Sequence, residues 1–224
     1  LPLDESSVAG QQMTTQPRLF GADYSVYVRI ARLCLTEKGI EHQLEPLDIF
    51  AEGGPPVEYL VRHPFGRIPA FEHGGFTLYE TSAIVRYIDE AFEGPKLQPL
   101  DVMHRARCNQ LISIADNYAY PELVWGVYVE RVSKPDRGVP TDNEKLAAAL
   151  SKARNCLAAM SDLMGNGPWF VGQELTLADL YIAPMFDYFL MTSEGTELIH
   201  QHGNLKEWWA RIASRPSMAA TKPS

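Results

Sequence analysis

The sequence predicts an α/β N-terminal half joined to an all-helical C-terminal half. Three observations carry this. Residues 18–92 alternate between short strand-like runs and helical runs. Glu93-Gly-Pro-Lys-Leu-Gln-Pro99 has the composition of a linker. Beyond residue 100 only helical periodicity remains.

Arg18-Leu-Phe-Gly21 reads as a first strand. Residues 25–38 follow as a helix, because Val26, Ile30, Leu33 and Cys34 share one face. Gly39 stands where a helix-ending glycine belongs. Residues 42–46 read as a second strand, and strand–helix–strand over this distance is a right-handed parallel crossover. The Gly- and Pro-rich stretch 51–56 is a loop, and a short helix is expected over 57–62. Arg67-Ile-Pro-Ala-Phe-Glu72 and Phe76-Thr-Leu78 flank a Gly-Gly turn, the pattern of an antiparallel hairpin. Glu80-Thr-Ser82 then opens a helix whose buried face holds Ile84, Ile88, Ala91 and Phe92. The expected unit, residues 17–92, is a four-stranded sheet with helices on its faces.

After the linker (93–100), the helical half spans 101–224. A long amphipathic helix covers 101–129. Thr141-Asp-Asn-Glu144 reads as a capping box before a stripe running from Leu146 to Met164. Thr176-Leu-Ala-Asp179 reads as a second box, whose helix Pro184 should kink. A last helix is expected over 205–214.

Composition narrows the function. With 46% hydrophobic residues the 224-residue chain builds a core, which excludes extended disorder. Twenty basic against 28 acidic residues give a net charge of −8, which argues against nucleic-acid binding. Cys34, Cys108 and Cys156 are too scattered for a zinc site or a disulfide framework, which suits a reducing, cytoplasmic setting. No apolar run approaches the roughly 18 residues of a membrane span. Leu1–Gln12 is polar and patternless, and Met13-Thr-Thr would make a natural start. Residues 1–16 are therefore expected to be a leader or extension.

Four segments together point to a family: Ser25-Val-Tyr-Val-Arg-Ile-Ala-Arg-Leu33 running into Glu37-Lys-Gly39, His63-Pro-Phe-Gly-Arg-Ile-Pro-Ala-Phe71, Leu78-Tyr-Glu-Thr-Ser-Ala-Ile-Val-Arg-Tyr-Ile88, and Leu175-Thr-Leu-Ala-Asp-Leu180. In this order and with these gaps the chain resembles the soluble glutathione transferases, in particular the serine-type members (phi-, theta- or beta-like). The resemblance implies a thioredoxin-like N-terminal domain, an all-α C-terminal domain, a homodimer, and glutathione as co-substrate with no metal.

It also implies roles. Pro69 is the family's cis proline, and the Ile68 main chain pairs with the cysteinyl backbone of glutathione. Glu80 meets the γ-glutamyl ammonium and Thr81 the α-carboxylate, at a helix start that itself favours an anion. Ser25 donates a hydrogen bond to the glutathione sulfur and lowers a thiol pKa that is about 8.5 when free. Tyr24 is the alternative donor. Cys34 lies too far into its helix to be a nucleophile.

The chain departs from the family at Arg67, where Gln is frequent. Arg67 is suited to the glycyl carboxylate. Gly53-Gly-Pro-Pro56 lacks a basic pair that some relatives carry, and His63 replaces a frequent Asn and reads as exposed or structural. Phe65 is a candidate dimer contact, and Asp179 a folding residue. Tyr118, Trp125 and Tyr128, spaced by seven and three, are candidates for the second-substrate wall. The expected reaction is attack of the glutathione thiolate on an apolar electrophile. The alternatives are a glutathione-dependent peroxidase, dehalogenase or reductase, or a non-catalytic carrier or interaction module.

Overall fold

The computed structural model describes residues 16–223, so most of the expected leader lies outside the described residues. The sheet has the order β2-β1-β3-β4, built from β1 (Arg18–Gly21), β2 (Gln43–Pro46), β3 (Ala70–His73) and β4 (Phe76–Tyr79). β1 and β2 are parallel, and β3 runs antiparallel to both β1 and β4. The alternation in β1 places Leu19 in the core opposite Phe71, both fully buried. It turns Arg18 outward, where its guanidinium bridges Glu45 on β2 (2.8 Å) and Glu72 on β3 (3.5 Å).

Helix α1 (Val26–Glu37) buries the expected face and packs beside α3 (Thr81–Ala91). It ends at Gly39, whose φ of 71° lets Ile40 N–H return to the Leu35 carbonyl at 2.9 Å. Helix α2 is a single turn, Val57–Leu60. The segment after α3 is fastened by a buried pair: Lys38 Nζ lies 3.3 Å from Asp89, and Asp89 also accepts from the N–H groups of Leu97 (2.8 Å) and Gln98 (3.0 Å).

The helical half holds α4 (Val102–Ile114), α5 (Lys134–Asp136), α6 (Asn143–Met164), α7 (Leu177–Phe189), α8 (Ser193–Ile199), α9 (Gly203–Ala213) and α10 (Pro216–Ala220). The long helix expected over 101–129 differs from its reading. After Ile114 it continues as a wider π-helix, Ala115–Ser133, with Pro121 inside, and at its end Lys134 N–H reaches back five residues to Val129 O. Its Gly126 meets α6 so closely that a Cβ would stand 2.3 Å from Ala149 Cβ.

The first capping box is also corrected. The cap of α6 is Asp142, which accepts from Lys145 N–H at 3.0 Å, while the Thr141 hydroxyl donates to the Glu130 carbonyl at 2.8 Å. A carboxylate one residue on is the better acceptor, and Thr141 is recruited elsewhere. The second box forms as expected: Asp179, fully buried, accepts from Thr176 N–H and Oγ1–H, both at 2.8 Å, from Phe170 N–H and from Trp208 Nε1–H. Its helix, α7, runs unbroken past Pro184 and is the buried centre of the helical half. It also packs against α1, where Arg29 meets Asp187 at 2.5 Å. The sequence reading did not anticipate α5, α8 or α10.

Candidate active site

A cleft of about 1220 Å³ opens where the ends of β1 and β3 and the N-termini of α1 and α3 face the π-helix. Gly21 makes the near wall possible. A Cβ there would lie 2.4 Å from Val28 Cγ2 and 3.2 Å from Ile68 Cβ, so β1, α1 and the turn before β3 converge only on a glycine. Ser25 is the N-cap of α1, its Oγ accepting from Val28 N–H at 3.4 Å. That cap uses an oxygen lone pair and leaves the hydroxyl proton uncommitted. The Tyr24 phenol is committed: it donates to Asp48 Oδ1 at 2.6 Å, and Phe50 N–H donates to the same oxygen at 2.8 Å.

The Ile68–Pro69 bond is cis and borders the cleft, and Tyr59 Oη donates to the preceding Arg67 carbonyl at 2.6 Å. Glu80 is the one non-glycine residue with positive φ among the described residues (φ 68°, ψ 110°). Its carbonyl accepts from Ala83 and Ile84 N–H, both at 2.9 Å, yet its carboxylate caps nothing. The carboxylate is thus turned from the usual cap task, beside the buried Thr81 at the positive end of α3.

The far wall follows the wide helix. Asp116, Tyr120, Trp125 and Val129 face the cleft from successive turns, four to five residues apart, as i→i+5 bonding dictates. This corrects the expected face. Trp125 and Tyr128 line the cleft, but Tyr118 is 62% exposed and points elsewhere, because a spacing of seven returns to the same face in an α-helix but not in the wider π-helix. Tyr27 meets Tyr120 at a tilt (4.6 Å between centroids) and Phe50 meets Trp125 edge-on at 6.4 Å, joining the two halves across the cleft, while Tyr128 meets Tyr188 at 4.6 Å within the helical half. Tyr181 Oη donates to Asp116 at 2.9 Å.

The sequence matches the family models for the glutathione S-transferase N-terminal domain over residues 19–96 and for the glutathione S-transferase C-terminal domain over residues 122–216. The chain belongs to the glutathione S-transferase family. Glutathione S-transferase F12 of Arabidopsis thaliana is 28% identical over 202 residues, covering 89% of this chain and 94% of its own. A probable glutathione S-transferase of Oryza sativa subsp. japonica, GSTF1, is 27% identical over 210 residues, 91% and 94% of the two chains. The crystal structure of glutathione transferase F7 from Populus trichocarpa superposes with a TM-score of 0.82 at 26% identity, covering 92% of this chain and 97% of that one.

The cleft of this transferase gathers Tyr24, Ser25, Arg67, Ile68, Pro69, Glu80, Thr81, Trp125 and Tyr128 from the sequence reading, and omits Tyr118 and Phe65. His63 is not exposed, and it lines the cleft. It is buried, its ring lies 4.8 Å from that of Tyr79, and burial lowers its pKa. Burial, reinforced by the bond to Asp48, raises the Tyr24 pKa, so that phenol stays protonated. Burial also raises Asp116, against the hydrogen bonds from Tyr181 and Tyr27.

Cys34, Cys108 and Cys156 are buried free thiols, and burial pushes Cys108 up to about 11 and Cys156 up to about 12. Sequence reasoning missed Asp48, Phe50, Asp116, Tyr120, Tyr181 and Tyr188. Only Tyr120 carried a local signal, its ring lying in the same tyrosine-rich run as Tyr118. Among the described residues no three His, Cys, Asp or Glu side chains cluster as a metal site would require, and no helix is long and apolar enough to cross a membrane.

Proposed function

We propose that this transferase binds glutathione along the near wall and activates its sulfur through the Ser25 hydroxyl. The Ile68 main chain takes the cysteinyl backbone, Glu80 the ammonium, Thr81 and the α3 terminus the α-carboxylate, and Arg67 the glycyl carboxylate. Ser25 then donates to the sulfur at the positive end of α1, and both features favour thiolate over thiol. The thiolate attacks an apolar electrophile held against the aromatic far wall. The observation that carries the assignment is the contrast between two adjacent residues: the Tyr24 proton is spent on Asp48 at 2.6 Å, while Ser25 uses only a lone pair in its cap. Burial of all three cysteines gives no support to a thiol-exchange reading.

Steady-state kinetics of two variants test this. Ser25→Ala is expected to keep glutathione binding and lose roughly ten- to a hundred-fold in turnover, the worth of about 1.5–3 kcal/mol for a hydrogen bond to a charged group. Tyr24→Phe is expected to turn over within a few-fold of wild type. The reverse pattern would move the role to Tyr24.

We further infer a homodimer and a cytoplasmic setting. The apolar side chains of Phe65 (70% exposed) and Val61 (88% exposed) support the first. Three unpaired thiols support the second, and secretion of the native chain would contradict it.

A further inference from the structure

We propose that Arg137 gives the second-substrate end of the cleft a preference for flat aromatic electrophiles that carry an acidic group. This rests on the transferase reading and names its substrate class. Phe50, Tyr120, Trp125 and Tyr128 supply four rings to the wall against which an electrophile lies. Such walls favour flat, polarisable rings in offset or edge-on contact.

Charge along the cleft is uneven. Glu80 and Asp116 line it, with Arg67, toward the proposed glutathione end, and Asp116 is the second residue of the π-helix, whereas Asp48, beside Phe50, already accepts from Tyr24 and from Phe50 N–H. Ser133, at the other end of that helix, and Arg137 line the cleft there. The basic residues of this segment are otherwise matched: Arg131 pairs with Glu194 through its Nε at 2.7 Å, and Lys134 pairs with Glu130 at 2.7 Å. Arg137 instead donates its Nε to the Ser133 carbonyl at 3.1 Å, and no ion pair to it forms among the described residues. Its chain neighbour Asp136 is not among the residues that line the cleft.

A guanidinium carries five N–H donors in a fork that fits a carboxylate, and only one of them is used among the described residues. In a chain of net charge −8, an unmatched cation beside an aromatic wall marks the place for a ligand's negative group. It also fixes direction. An acidic substituent is repelled from Asp116 and Glu80 and drawn to Arg137, which leaves the far side of the ring facing Ser25. With an aryl chloride the thiolate sulfur forms the C–S bond, the C–Cl bond breaks, and chloride leaves with the electron pair. The acidic substituent docks and does not react.

The test compares 4-chloro-3,5-dinitrobenzoate with its methyl ester, which share a ring and differ in charge. For each, kcat/KM is divided by the uncatalysed rate constant, and the acid-to-ester ratio is taken. In Arg137→Gln the ratio is expected to fall about five-fold, the scale of one solvent-exposed charge contact. Arg137→Lys should retain most of it, and high salt should shrink it in the wild type. An unchanged ratio in Arg137→Gln overturns the proposal. So does a raised KM for glutathione with the ratio unchanged, which would assign Arg137 to the glycyl carboxylate. If the wild type turns over neither compound, it is the reading of the far wall as an electrophile site that fails. Affinities for the two ready-made glutathione conjugates, read by tryptophan fluorescence, then still decide on Arg137: equal losses for both conjugates in Arg137→Gln overturn it.

Discussion

Glu80 holds a backbone conformation that costs about 1–3 kcal/mol for a residue with a side chain. Its φ of 68° with ψ of 110° lies outside the left-handed well that Asn or Asp occupy cheaply. A strained residue whose carboxylate caps nothing, at the edge of the cleft, fits a residue kept for its ligand. Glu80→Gly separates the two contributions. Glycine relieves the φ and removes the carboxylate, so the thermal midpoint should rise, by up to about 1 kcal/mol of stability. Affinity for glutathione should fall by about 1.5–3 kcal/mol. Glu80→Ala should show the same loss of affinity without the gain in stability, and unchanged affinity in both variants would remove Glu80 from the site.

At this scale the sequence was informative wherever local grammar fixes a residue: Ser25 before a helix, Pro69 before a strand, the Glu80–Thr81 pair at a helix start. Asp48 and Arg137 were not legible. Each depends on where a loop lies against another element, and no spacing in the chain encodes that.

Among the elements, the π-helix decides the shape of the far wall. An i→i+5 ladder moves every side chain round the axis relative to an α-helix, and this is why Tyr120 faces the cleft and Tyr118 does not. Propensity and periodicity report only that a helix forms. They do not report its pitch, nor that it packs against α6 and α7.

The end of this helix is held by Glu130, fully buried, with Lys134 at 2.7 Å, Lys145 at 2.8 Å and Asp142 N–H at 3.1 Å. Burial by itself would raise the Glu130 pKa, but the bonds from Lys134, Lys145 and the Asp142 amide outweigh it and hold it down to about 2. A carboxylate depressed on folding stabilises above its unfolded pKa, near 4.5, and that contribution is lost as pH falls toward 2. Urea unfolding at a series of pH values should therefore show stability falling between pH 4.5 and 2 in the wild type. Glu130→Gln should be less stable at neutral pH and flatter across that window. An equal slope in both proteins would contradict this.

For the molecule as a whole, half-buried polar bonds cross between the two halves and tie them together. Arg29 meets Asp187, Arg215 Nη2 meets Glu37 at 2.6 Å, and the Tyr188 hydroxyl donates to the Tyr24 carbonyl at 2.6 Å. The last of these lets α7 position the loop that carries Ser25. The order of elements and the sheet were legible from residue patterns, whereas these cross-links were not, since each joins residues more than 150 positions apart.

Phe65 remains uncovered at this scale, and the homodimer reading gives it a partner. Phe65→Ser should shift a mass near twice 25.1 kDa toward the single-chain value in sedimentation equilibrium. A wild type that sediments as a single chain would contradict that reading.

The activation of glutathione by Ser25 is tested most directly by its thiolate absorbance in the complex, titrated against pH by ultraviolet difference spectroscopy. The expected apparent pKa lies well below the free value of about 8.5, and returns toward it in Ser25→Ala while glutathione stays bound. A bound thiol that titrates at its free value in the wild type, or one whose lowered pKa survives the loss of the Ser25 hydroxyl, would contradict the account.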